Sequence, residues 1–220
     1  MEGYVSEQEQ IERLKTWWKD NGRSIIAGLA LGLGAMYFWR TWQGNITAQM
    51  EDASQGFQQM LVQIAEKKPE EAKKIGGEIV AKFEKSPYSV FASMALAKLA
   101  VEANDLAEAK KHLQWAQDHV TESALIPVIR MRLTRLHLAE GDVSQAWTVF
   151  QGIPSVAGAK LSSYQELKGD ILAARGKAGE ARQAYVEALA LHGPENTESS
   201  ALQLKLNDLG EGQPAPVQAP

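Results

Sequence analysis

An alanine returns at a nearly fixed interval through most of the chain, and any fold it adopts has to accommodate that interval. Ala72, Ala109, Ala146 and Ala181 lie 37, 37 and 35 residues apart. Each follows a turn signature at a constant offset: Lys67-Lys68-Pro69, Asn104-Asp105, Gly141-Asp142 and Gly176-Lys177. Four residues after the last three alanines stand Leu113, Phe150 and Tyr185. Seven residues after the four come Ile79, Ala116, Ile153 and Ala188. Nine residues before the last three are Ala100, His137 and Leu172, and Pro154 and Pro194 close the last two copies. A small residue fixed in register with larger apolar ones suits two helices that cross closely, the larger side chains filling the gap to the next pair.

The period is that of a helix–turn–helix repeat near the tetratricopeptide length. The best single copy runs from Leu167 to Leu189, with Gly169 at the small position of its first helix and Ala181, Tyr185 and Ala188 on its second. An all-α, tetratricopeptide-like solenoid is therefore expected over residues 43–209. Thr197 to Leu209, with Leu202, Leu204 and Leu206 among polar residues, reads as its terminal capping helix. Gly210 to Pro220, rich in proline and glycine, reads as a disordered tail.

A different pattern precedes the repeats. Ser24 to Trp39 is a run of sixteen residues without a charge, bounded by Arg23 and Arg40 and flanked by Trp17, Trp18, Trp39 and Trp42. As a helix it covers roughly 24 Å, somewhat less than the ~30 Å of a hydrocarbon core, with snorkelling arginines and interfacial tryptophans to make up the difference. A single N-terminal transmembrane helix over residues 24–42 is expected on this basis, in contact with membrane lipid. Arg13, Lys15, Lys19 and Arg23 precede the run, and after Arg40 the next cation is Lys67. That asymmetry places residues 1–23 in the cytoplasm and the repeats across the membrane. Ser24, Gly28 and Gly32, four apart, would let a second helix pack closely against the anchor. Asn21-Gly22 would mark the passage from a surface-lying segment into the bilayer.

Composition excludes several function classes. The 23 Lys and Arg against 27 Asp and Glu give a net charge of −4, the wrong sign for general nucleic-acid binding. With no Cys there is no disulfide framework, thiolate metal site or cysteine nucleophile. No phosphate loop, nucleophile elbow or zinc-spaced histidine pair occurs. His112 and His119 share a helix face without a third ligand, and His137 falls on an internal packing position. Neither catalytic residues, a cofactor nor a metal is expected. A repeat domain can still bind along its inner surface, lined by the first helix of each pair. The register puts Phe57, Leu61 and Ile64 there in the first unit, and Met94, Lys98 and Val101 in the second. Met131, Arg135 and Leu138 follow in the third, Glu166 and Asp170 in the fourth. Of these, Phe57, Leu61, Met94, Lys98, Met131 and Arg135 are the candidate partner-binding residues.

The order of these motifs resembles the YfgM family, the ancillary subunits of the bacterial SecYEG translocon. The likeness begins at EQIERLKTWWKDNGRSIIAGLALGLGAMYFWRTWQ, residues 9–43, with its Asn21-Gly22 pair, glycine-spaced run and Trp39–Trp42 end, and continues to SALQLKLNDL at 200–209. The resemblance implies a single-pass inner-membrane protein with a periplasmic repeat domain. It implies association with SecYEG and with PpiD, a membrane-anchored periplasmic chaperone of the prolyl-isomerase type. It further implies assistance to secreted or envelope proteins emerging from the channel, and no enzymatic activity. A membrane-anchored scaffold for envelope assembly or stress-response signalling, without client contact, is the alternative.

Overall fold

The computed structural model describes residues 7–154, 161–192 and 197–210. Pro194 and all of the expected tail but Gly210 lie outside the described residues, as do residues 1–6 of the expected N-terminal segment. The described residues form an all-helical chain that divides into Met1–Glu51 and Asp52–Pro220. Helix α1 runs Glu7–Ala65 and contributes to both. Then come α2 (Pro69–Lys82), α3 (Pro87–Glu102), α4 (Leu106–His119), α5 (Ile126–Ala139), α6 (Val143–Gln151), α7 (Ser162–Ala174), α8 (Ala178–His192) and α9 (Thr197–Asp208).

The repeat is carried by one turn used four times. Lys67, Asn104, Gly141 and Gly176, each five residues before a repeat alanine, have φ of +59°, +60°, +79° and +75°. A left-handed residue just past a helix lets the chain fold back so that later amides satisfy the last carbonyls. The amides of Lys68, Asp105, Asp142 and Lys177 accordingly donate to the carbonyls of Gln63, Ala100, His137 and Leu172 at 2.8–2.9 Å. Asp105 and Asp142 then cap the next helix, their carboxylates accepting from the amides of Glu108 and Gln145 at 3.0 Å.

That turn lays each second helix on its first. Ala72, Ala109, Ala146 and Ala181 have no exposed surface, because each sits at such a crossing. Leu113, Phe150 and Tyr185 are buried one turn later. The crossing of α7 with α8 is close enough that a Cβ on Gly169 would stand 2.4 Å from the Tyr185 ring. Met60, Ala97 and Thr134 hold the position of Gly169 in the earlier repeats, all buried. Among the described residues four apolar clusters result, one after another, rather than one central core. Their chain of neighbours is what stacked repeats produce. His137 keeps 12% of its side chain exposed, at the packing position the register gives it.

The expectation of a transmembrane anchor is corrected. Among the described residues no helix is long and apolar enough to cross a membrane. The uncharged run stops at sixteen residues, and lengthening it takes in Arg23 and Arg40. Gly28, Gly32, Gly34, Ser24, Tyr37 and Trp39 dilute its hydropathy further. Residues 24–42 are part of the longer helix α1, which does not meet the expectation of a spanning segment. A Cβ added at Gly28 or Gly32 would meet nothing within 4 Å. Asn21-Gly22 makes no break either. The Asn21 side chain donates through Nδ2 back to the Trp17 carbonyl at 3.0 Å, and the Trp18 indole lies over Gly22.

Candidate partner-binding groove

A depression of about 430 Å³ opens between the second and third repeats. Its floor is apolar: Met94 and Ala97 from α3, Leu106 and Leu113 from α4, Leu136 from α5. Val101 stands at its edge, 45% exposed. Three cations, Lys98, Arg132 and Arg135, border it. Lys98 makes one exposed ion pair, 3.6 Å to Glu102 a turn further along. Neither arginine has a carboxylate partner among the described residues. Glu140, at the end of α5, is engaged by Lys110 at 2.6 Å. Desolvation first, and the like charge of Arg135 second, hold the Arg132 guanidinium below its usual value. The groove is thus a greasy floor bordered by a loosely paired lysine and two arginines without a carboxylate partner among the described residues, an arrangement suited to an apolar side chain next to an anion.

The structure gathers three of the six candidate residues here: Met94, Lys98 and Arg135. It separates the others. Phe57 is covered by Tyr88 and Phe91, with ring centroids 6.1 and 6.0 Å away, and Leu61 is 46% exposed in the first repeat. Met131 does not face open space. It is 5% exposed, packed with Phe150, Ile153, Leu167 and Ile171, because bulky residues of the next repeat close over it. Met94 is buried as well, at 8%, and reaches the groove only as part of its floor.

The acidic end of the inner face is also not open. Lys205 of α9 lies 2.8 Å from Glu166 and 2.7 Å from Asp170. The Tyr185 hydroxyl donates to Asp170 at 2.8 Å, and burial and that carboxylate together push the phenol well above its ordinary range. Leu202 of α9 is fully buried beside them, with Leu206 and Leu209 packed against the same cluster. The chain's own cap occupies this stretch.

Residues 15–211 match the family described as a tetratricopeptide repeat-like domain. A protein of Haemophilus influenzae named ancillary SecYEG translocon subunit is 30% identical over 207 residues, 93% of this chain and 98% of that one. Its Escherichia coli namesake is 29% identical over 210 residues, covering 95% and 99%, and a Neisseria gonorrhoeae namesake 24% identical over 95% and 100%. The chain belongs to the YfgM family. In this member of the family, two groups of the site escaped the reading of the sequence. Arg132 occupies the register position filled by Leu167 in the next repeat and Leu202 in the cap. A charge where the preceding copy carries Ala95 and the following ones leucine is the signal that would have found it. Lys205 stands 35 residues after Asp170, as Asp170 stands 35 after Arg135, and extending the register into the cap would have paired them.

Proposed function

We propose that this member of the YfgM family is a non-enzymatic accessory subunit of the Sec translocon, working at the inner membrane on its periplasmic side. It holds other polypeptides against its repeats: the SecYEG channel, a PpiD-like membrane-anchored chaperone, and secreted or envelope proteins as they emerge. The observation that carries this reading is the apolar, cation-bordered groove on a chain whose relatives align from end to end. Surfaces of this kind bind extended or helical polypeptide rather than small substrates. Affinity purification of the tagged full chain in mild detergent should recover SecYEG subunits and the PpiD-like chaperone. Recovery of neither overturns the proposal. Photocrosslinking from Val101 should capture secreted chains during export; crosslinks to folded envelope proteins alone would favour a scaffold without clients. A reporter fused after Gln218 should be active only in its periplasmic form.

A further inference from the structure

One column of inner-face residues, read at the repeat interval, explains which part of that face is closed and which is left open. Lys98, Arg135, Asp170 and Lys205 occupy the same place in four successive copies, 37, 35 and 35 residues apart. The column changes sign twice, from Arg135 to Asp170 and from Asp170 to Lys205; at the second change the two side chains meet at 2.7 Å and a helix of this chain covers the face. That helix presents an apolar anchor, Leu202, and one turn on the complementary charge, Lys205. Where the column repeats its sign, at Lys98 and Arg135, neither of the two side chains pairs across the junction among the described residues, the repeats being tied by Lys110 and Glu140 at 2.6 Å. The apolar depression of about 430 Å³ lies there instead, with Arg132 as a third cation. Like charges on neighbouring elements disfavour closure until an anion is placed between them.

We propose that the groove at Lys98, Arg132 and Arg135 receives an acidic amphipathic helix of a partner protein, which lays an apolar side chain on Met94, Leu113 and Leu136 and a carboxylate between the cations. The partner helix does at the second repeat what α9 does at the fourth, with the sign of the charge reversed. This rests on the reading of the chain as a polypeptide-binding accessory subunit and names the chemistry of what it binds.

Two labelled synthetic helices of equal length, one of Leu and Glu and one of Leu and Lys, test it by titration against the full chain. The Leu/Glu helix should bind saturably and weaken with salt, and the Leu/Lys helix should not. Lys98→Glu with Arg135→Glu should weaken the Leu/Glu helix about tenfold or more and confer binding of the Leu/Lys helix. Both residues are exposed, so this variant should melt as the parent does. Lys98→Gln with Arg135→Gln should abolish the preference without reversing it. The proposal is overturned if the parent chain binds neither helix or both alike. It is equally overturned if reversal of the two charges leaves the preference intact. It also fails if phosphatidylglycerol vesicles, and not the Leu/Glu helix, bind in a way that the charge reversal removes. Recovery of the translocon with the tagged chain is a separate readout, so the general reading can survive the failure of this one.

Discussion

The junction between the second and third repeats and the junction between the fourth repeat and its cap share a register but end differently. At the cap, opposite charges meet, Leu202 is buried and α9 seals the inner face. At the earlier junction the charges agree in sign, Val101 stays 45% exposed and a groove remains. The backbone plan is common to both, down to the left-handed turn at Asn104 and at Gly176. The difference lies in a few side chains at equivalent positions. At the cap it is an apolar anchor together with a complementary charge that closes the face, and at the earlier junction neither is supplied by the chain. Specificity of this sort comes from what is left unpaired as much as from what is paired.

The largest effects should arise where the repeats are tightest. Ala181→Trp would force an indole into a crossing with no exposed surface, and overpacking of that kind costs about 3 kcal/mol or more. Early thermal unfolding, with binding at the groove lost only with the fold, is the expected result. If this variant melts like the parent, α7 and α8 do not cross where the register puts them. Next comes the seal itself. Leu202→Ala should cost roughly 2 kcal/mol, at the low end for a buried leucine because a terminal helix can settle into the space. Hydrogen exchange should speed in α9 and α8 first. Uniform loss of protection throughout residues 52–210 would mean that the cap is not a separable layer.

Much of this fold is legible in the sequence because a repeat states the same constraint several times. One buried alanine proves little; four at 37, 37 and 35 residues fix the crossings, and all four are fully buried. Gly141 and Gly176 announce their left-handed turns, since glycine adopts them without a Cβ penalty. Asn104 announces one more faintly, and Lys67 is found only through the register. The inner face is harder to read. Whether Met131 is open or covered depends on the bulk of Phe150 and Leu167 from other helices, which no periodicity within α5 encodes. The acidic residues Glu166 and Asp170 look available until the cap's own Lys205 is placed. At the N-terminus, tryptophans and glycines suggest a membrane anchor, but sixteen uncharged residues between two arginines do not reach the length of one. There the arithmetic of length outweighs the suggestion of the flanks.

A pair of matched substitutions sharpens the contrast between the two junctions. Lys205→Met removes the cation from between Glu166 and Asp170 and leaves two carboxylates side by side. It should cost about 1 kcal/mol, modest because all three side chains retain contact with water. Arg135→Met, at the equivalent position of the open junction, has no ion pair to lose and should leave stability within about 0.5 kcal/mol of the parent. Chemical denaturation of the two variants checks this. Equal losses would show that Arg135 already holds a partner within the chain, and the groove would then not be waiting for one.

The smallest expected effect is a pH dependence in the helix that carries the floor of the groove. His119 of α4 has acceptors at both ring nitrogens, the Trp115 carbonyl at 2.8 Å and the Glu84 carboxylate at 2.9 Å, and its ring stacks on Trp115 at 4.0 Å. The Trp115 carbonyl first, and then Glu84, raise its pKa above the ordinary 6.5. His112, two turns earlier, is lowered chiefly by burial, against the opposing pull of Glu108. The two act in opposite directions. The folded state holds the His119 proton more tightly than the unfolded chain, so its stabilisation is complete below pH 6.5 and is lost as pH rises through the raised value. His112 contributes above pH 6.5 and its contribution is lost as pH falls through the lowered value. The two windows adjoin at pH 6.5, so over a pH span that crosses it the two effects partly offset each other in the parent. His119→Gln should leave the burial of His112 unopposed, so that melting temperature falls more on acidification from pH 7 to pH 5 than in the parent. His112→Gln should do the reverse, and the double variant should restore a flatter profile. Parallel curves for all four chains would mean that neither imidazole is coupled to folding, and that α4 is held by Leu113, Ala116 and its apolar neighbours alone.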